Sequence, residues 1–384
     1  MNTKILGYRR ENGRIGIRNH VLILPLDAVS YTVCRAVSHT IAGTVSIYHP
    51  YGRMQFGADL DLHFRTLIGT GSNPNVAAVI VVGIEPNWTN KVADGIAKTG
   101  KPVAAFWTDG NGDFKTIEMA CRKAKEFVQY ATALEKVEAD LSDLVIGYKC
   151  GESDTTSGLA ANPAAGVACD RLIKIGATVM FGETPEITGA EHILVKHFAT
   201  PELGEKFLAV FKNYLDLIFS KGEDLLGSQP NQGNIAGGIS TIEEKALGNI
   251  QKLGKSPIVG VLDTCEEPKQ KGLHFMNTSS AAADLVTAMA AAGAVMTVFT
   301  TGKGNNVGNP ITPVLKLCAN PKACHLAGEN IDVNLSGIMS REITLEQAGD
   351  RIIDAIVRAS RGQYTATEVL KHDEFALTRL FPQS

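Results

Sequence analysis

Short apolar runs, each followed by a helical pattern, recur along this chain and constrain its fold more than any other feature. HVLILPLDA (20–28), TVSIYH (44–49), AAVIVVGIE (77–85) and VAAFWT (103–108) are continuously apolar rather than alternating. That is how strands read when helices cover both faces of a parallel sheet. Between them lie SYTVCRAVSHTI, NWTNKVADGIAKTG and a polar helix from about Phe114 to Glu138 with a solvated charged face. The alternation resumes with LVIGYKCG, TVMFGE, PIVGVLD, LHFMNT and VMTVFTTG, with a helix over 201–221, a Gly- and Asn-rich loop over 228–240, a helix capped by Thr241 and a last amphipathic helix over 344–360. The chain is therefore expected to be α/β, with two Rossmann-like open parallel sheets facing a shared crevice. The expected boundary gives an N-terminal domain over 1–140 and a C-terminal domain over 141–384.

Composition narrows the function classes. A chain of 384 residues is long for one core, and a net charge of −3 gives no basic footprint for nucleic acid. No run approaches the ~18 apolar residues of a membrane span, and MNTKILGYRRENGR lacks the apolar core of a signal peptide. The seven cysteines form neither a CxxC pair nor a dense framework, which fits free thiols in a cytoplasmic protein.

The chemistry-bearing residues cluster where strands should end. KCGESDTTSGLAANP (149–163) brings Lys149, Glu152, Ser153, Asp154, Thr156 and Ser157 onto one loop, and GETPEITGAEH (182–192) brings Glu183, Glu186, Glu191 and His192 onto another. Crevices at the carboxyl ends of parallel strands are where ligands bind, although Ser, Thr and Asp before a helix also serve as caps. GRIGIRNH (13–20) sets Arg18, Asn19 and His20 before the first strand, where a guanidinium can clamp an anion. The loop from Tyr48 contributes His49, Arg53 and Gln55, while Asp59 to Arg65 read as a solvated helix face. Glu85 ends the third strand. Asn234 in the Gly-rich loop, with Thr301, Gly302 and Asn305 in FTTGKGNNVGNP (299–310), completes the expected substrate contacts. That last segment has phosphate-loop glycine spacing, but prolines follow where a helix would have to begin, so no nucleotide cofactor is expected. Instead its backbone N–H groups and Asn305 are expected to close over a small substrate.

GYRRENGRIGIRNH, KCGESDTTSGLAANPAAG, GETPEITGAEH, GNIAGGISTIEEKALGNIQK and VFTTGKG resemble, in order and spacing, the altronate and galactarate dehydratase family. The resemblance implies elimination from a sugar acid assisted by a divalent metal, usually Fe²⁺, with Mn²⁺ or Mg²⁺ as alternatives. It also implies a small SAF-type domain, here expected as a separate partner subunit, and a homo-oligomer of the large subunit. Where the dehydratases usually carry cysteine, this chain reads HPYGRMQFGAD, VVGIEPNWTN and IDVNLSG. In these segments it is more similar to the branch that eliminates sulfite from (2R)-sulfolactate to give pyruvate. The implied mechanism is metal-assisted abstraction of the C2 proton of a small anionic 2-hydroxy acid, a sugar-acid dehydratase being the alternative. Glu183, Glu191 and His192, with Glu186 as substitute, are the expected metal ligands. Lys149, Glu152, Asp154 and His49 are the candidate bases, and Arg18 and Arg53 are expected to hold the sulfonate.

Overall fold

The computed structural model describes residues 3–379. The first half holds β1 (Lys4–Arg9), β2 (Ile15–Gly16), β3 (His20–Pro25), β4 (Thr44–Ser46), β5 (Val76–Gly83), β6 (Val103–Trp107) and β7 (Val137–Asp140). Strands β3 to β6 form a parallel sheet in the order β4-β3-β5-β6. Every residue of β5 is buried, which is why its sequence shows no polar alternation. The second half supplies β8 (Val145–Gly151), β9 (Thr178–Phe181), β10 (Ile258–Leu262), β11 (Gly272–Met276), β12 (Met296–Thr301), β13 (Val314–Cys318) and β14 (Val333–Asn334). These make a seven-stranded parallel sheet ordered β10-β11-β9-β8-β12-β13-β14.

Both sheets reverse direction of growth at a switch point. From β3 the chain moves to β4 on one side and then to β5 and β6 on the other. From β8 it moves out through β9 and returns at β12 on the opposite side. Crevices open at the carboxyl ends of such strand pairs, here after Pro25 and Gly83 in the small sheet and after Gly151 and Thr301 in the large one.

The sheets share an interface made by the helices Gly57–Ser72 and Ala282–Ala291. Leu62 packs with Leu285, Ala288 and Met289, and a Cβ on Gly69 would come within 2.2 Å of the Ala291 carbonyl oxygen. The two helices therefore run the same way, and both sheets present their carboxyl ends to one side. A crevice of about 600 Å³ opens there, lined by Tyr31 and Tyr48 from one half and Ala283, Glu374 and Phe375 from the other. Asn73 and Asn75 fasten the seam, donating to Ala290 and Ala294 and to Val295 and Ile311, at 2.7–3.0 Å.

Several local expectations need correction. The helix begun near Phe114 ends at Ala133, because 137–140 leave it to pair antiparallel with β1. Together with β2 this makes a small three-stranded sheet that the polar sequence of these short strands conceals. The Gly-rich loop holds a short helix, Gln232–Ala236, closed by a capping box between Asn231 and Asn234. Asp59 and His63 are buried rather than solvated. Thr241 does cap its helix, accepting from the Glu244 N–H.

Candidate functional site

The loops after β8, β9 and β12 meet at the switch point of the large sheet. Glu183, directly after β9, adopts a left-handed backbone with φ of 69° and is fully buried. Its carboxylate accepts from Lys149 at 2.5 Å and from Lys252 at 2.6 Å, both ammoniums being buried as well. Burial opposes the Glu183 charge, but Lys149 and then Lys252 outweigh it and hold the carboxyl below its ordinary range. Burial likewise works against the Lys149 ammonium, and Glu183 followed by Glu186 overrides it, so Lys149 is held above the ordinary lysine value. Lys149 is thus locked as an ammonium and is not placed to act as a base. Lys252 also donates to Asn249 Oδ1. No sequence signal singled Lys252 out, since it lies in an ordinary amphipathic helix pattern.

The four expected metal ligands are not brought together. Both Glu183 oxygens hold ammoniums. Glu186 has one oxygen 3.3 Å from Lys245 and the other buried without a hydrogen bond. Glu191 accepts from the Gly189 N–H at 2.6 Å, and His192 is exposed. Among the described residues no three His, Cys, Asp or Glu side chains converge on a cation position. Lysine ammoniums stand where a divalent ion would need free oxygens, so this set does not fit the expected metal.

Glu152 presents the opposite case. It too has a left-handed backbone, φ 51°, yet it is exposed. One oxygen accepts from Asn305 Nδ2 at 2.9 Å, and among the described residues nothing bonds to the other. Asn305 is turned by Lys316, whose Nζ donates to Asn305 Oδ1 at 3.0 Å and to the Val307 carbonyl at 2.7 Å and sits 3.6 Å from the Phe299 ring centroid. Lys303, exposed between this loop and the next, has its ammonium 3.1 Å from where a Cβ on Gly233 would stand. Lys303 lies in the loop FTTGKGNNVGNP and Lys316 in the apolar run VLKLC, and the role of each depends on side-chain direction.

Most other expected contacts are structural. Asp154 accepts from Thr156 Oγ1, from the N–H and Oγ of Ser157 and from Asn320 Nδ2 at 2.7–3.2 Å, which caps the helical turn and engages both carboxylate oxygens. Ser153 faces Cys150 Sγ, and Asn234 Nδ2 holds the Ser153 carbonyl at 2.8 Å. Thr301 Oγ1 accepts the N–H groups of Lys303, Gly304 and Asn305, so these groups cap the loop instead of closing over a substrate. A Cβ on Gly302 would lie 2.4 Å from the Asp154 carboxyl carbon, so that glycine permits the two loops to touch. Beside them a cavity of about 320 Å³ opens between Asp154, Ser157, Ile239 and Lys245.

In the small sheet Arg18 is buried in an ion pair with Glu368 at 2.5 Å and also donates to the carbonyls of Ala359 and Gln363; it ties the chain ends together and does not face a ligand. Asn19 is held between Arg10 and the Ala131 carbonyl. Glu85 caps its helix through the N–H groups of Asn87 and Trp88. His20 lines a separate cavity with Glu368 and Lys371, and burial pushes it down to about 4. Arg53 is exposed. His49 and His63 direct Nε2 at the carbonyls of Pro25 and Leu26. A carbonyl only accepts, so each Nε2 carries the proton and each Nδ1 a lone pair. Burial lowers both rings to about 4. Their Nδ1 atoms and both amide atoms of the buried Gln55 lack hydrogen bonds.

Comparison with known proteins covers most of the chain. Residues 7–132 match the family model described as D-galactarate dehydratase/altronate hydrolase, second domain, and residues 141–383 match D-galactarate/altronate dehydratase, C-terminal. The (2R)-sulfolactate sulfo-lyase subunit beta of Chromohalobacter salexigens is 57% identical over 98% of this chain and 97% of that protein. The altronate dehydratase of Bacillus subtilis is 30% identical over 98% of this chain and 78% of its own length. The galactarate dehydratase (L-threo-forming) of Escherichia coli is 30% identical over 78% of this chain and 59% of its own length.

Proposed function

Because the chain belongs to the galactarate and altronate dehydratase family, we propose that it is the beta-type subunit of a carbon–sulfur lyase that eliminates sulfite from (2R)-sulfolactate. The observation that carries the site assignment is Glu152, an exposed carboxylate in a strained backbone at the switch point, oriented by a buried amide. Left-handed backbone at a non-glycine residue costs about 1–3 kcal/mol and persists where the surroundings enforce it, often at working sites.

In this reading Glu152 takes the C2 proton, the C2–H electrons form the C2=C3 bond, and the C3–S bond breaks with its electron pair leaving on sulfite. The enol that remains tautomerises to pyruvate. Proton removal beside a carboxylate builds negative charge on the substrate, and a fixed positive charge stabilises it. Lys303, exposed on the loop whose Gly302 N–H bonds to the Glu152 carbonyl, supplies an ammonium that can meet the substrate carboxylate or sulfonate. Beneath the loop the buried Lys149 and Lys252 flank the Glu183 carboxylate. Sulfite departs without full protonation, so this site, which lacks an evident acid, suits it better than hydroxide.

A companion subunit is part of this proposal, as the beta designation of the similar sulfo-lyase suggests, its SAF type being carried by the family resemblance alone. So is a cytoplasmic setting, favoured by seven unpaired cysteines; no helix of the described residues is long and apolar enough to cross a membrane. The test is an assay of the assembled enzyme on (2R)-sulfolactate and on altronate. Stoichiometric sulfite and pyruvate are expected from the first, with little turnover of the second. Dehydration of altronate without sulfite release from sulfolactate would return the chain to the sugar-acid branch.

A further inference from the structure

We infer that Lys316 is a positioning residue for the elimination, acting on Glu152 through Asn305; this rests on the reading of Glu152 as the base. Lys316 lies in the middle of β13 in the apolar run VLKLC and is fully buried. Removing an ammonium from water costs several kcal/mol unless it is repaid, and among the described residues no carboxylate forms an ion pair with its side chain. Its partners are the Asn305 amide oxygen, the Val307 carbonyl and the face of Phe299. A lysine kept there for packing alone would be better replaced by an aliphatic residue.

What the lysine does achieve is directional. An asparagine amide can flip, and only one orientation offers Nδ2 to Glu152. By donating to Oδ1, Lys316 selects it, since the reversed amide would set N–H against N–H. Val307 N donates to the same Oδ1 at 2.8 Å and reinforces the choice. The amide then holds one carboxylate oxygen of Glu152 and leaves the other for the substrate.

Burial lowers Lys316 to about 7, so its charge changes within the working range. The charged groups that act on it are Asp332 before β14, Glu152 after β8 and Glu374 in the C-terminal segment, all favouring the ammonium, and Lys149 on β8, which opposes it. Turnover should fall as pH rises through about 7, when the neutral amine, able to accept as well as donate, no longer enforces one orientation of Asn305.

The experiment compares kcat and KM for sulfite release across pH in the assembled enzyme for wild type, Lys316→Met, Asn305→Ala and the double variant. The inference expects kcat to fall on the order of tenfold in each single variant with KM changed less than twofold. It expects the alkaline limb near pH 7 to vanish in both, and the double variant to be no worse than either single, because the two act in one chain. Should Lys316→Met fail to fold, Asn305→Ala alone must still lose that limb. Wild-type kcat with an intact limb in either foldable variant, or losses that multiply, overturns the role of Lys316. Glu152→Gln, run alongside, separates the underlying reading. Full activity in Glu152→Gln sinks the base assignment itself, whereas an inactive Glu152→Gln beside a normal Lys316→Met sinks only the positioning role.

Discussion

Glu152 and Glu183 follow neighbouring parallel strands, each close after a glycine, each with a left-handed backbone, and yet their surroundings give them opposite roles. Glu183 is sealed under two ammoniums. Glu152 stands at the surface with a single neutral hydrogen bond. The difference teaches that a polar loop at a strand end can serve as a keystone or as a reagent, and that the number of charges buried with it decides which. A carboxylate held between two ammoniums is stabilised in its charged form and is a poor base; one held by an amide keeps its basicity and gains direction.

The largest expected effect breaks the keystone. Glu183→Gln leaves two buried ammoniums without a counter-charge, and removing one partner of such a cluster costs about 3–5 kcal/mol, read as a fall in thermal midpoint. The same carboxyl titrates below its ordinary range. Its stabilisation is therefore present above the ordinary carboxylate value and lost as pH falls through the lowered one. Acid unfolding monitored by circular dichroism should be less steep in this variant than in wild type.

Arg18→Met is expected next, at about 3 kcal/mol, because Glu368 loses its buried partner and the carbonyls of Ile17, Ala359 and Gln363 each lose the Arg18 donor. Chemical denaturation should register the loss, while KM for sulfolactate stays put. A rise in KM with unchanged stability would instead restore Arg18 to substrate binding.

The histidines sharpen the contrast from the small sheet. With folded values near 4, against an ordinary value near 6.5, His49 and His63 favour the folded state fully above about pH 6.5. That stability declines as pH falls toward 4, by at most about 1.4 kcal/mol per pH unit for each ring. His63→Gln should flatten this slope in melts taken across that interval. At the exposed site Lys303→Met should raise KM on the order of tenfold, about 1.4 kcal/mol, with stability unchanged. Arg53→Lys should be the mildest, within roughly twofold in KM, since Arg53 is exposed and its hydrogen-bonding fork holds nothing among the described residues; steady-state kinetics on sulfolactate check both.

Much of this architecture was legible in the sequence. Continuous apolar runs such as AAVIVVG marked doubly covered strands, and the polar loops at 149–157 and 301–305 fell at the switch point. What the sequence concealed was side-chain direction and burial. Three acids and a histidine in GETPEITGAEH suggested a metal set because nothing local reveals that Lys149 and Lys252 converge on Glu183, and Lys245 on Glu186, from elsewhere in the chain. Arg18 and Glu85 looked like ligand contacts because a guanidinium or carboxylate beside a strand reads the same whether it meets a substrate, Glu368 or the first N–H groups of a helix. Lys316 is a single charge in the apolar strand VLKLC, and the sequence does not show that its ammonium turns toward Asn305.

The most direct test of the account is the rate of sulfite release from (2R)-sulfolactate by the assembled enzyme carrying Glu152→Gln, with its thermal midpoint measured on the same sample. The account predicts kcat lower on the order of a hundredfold or more, KM little changed and the midpoint that of wild type. Wild-type kcat at an unchanged midpoint would contradict it and move the base away from this loop.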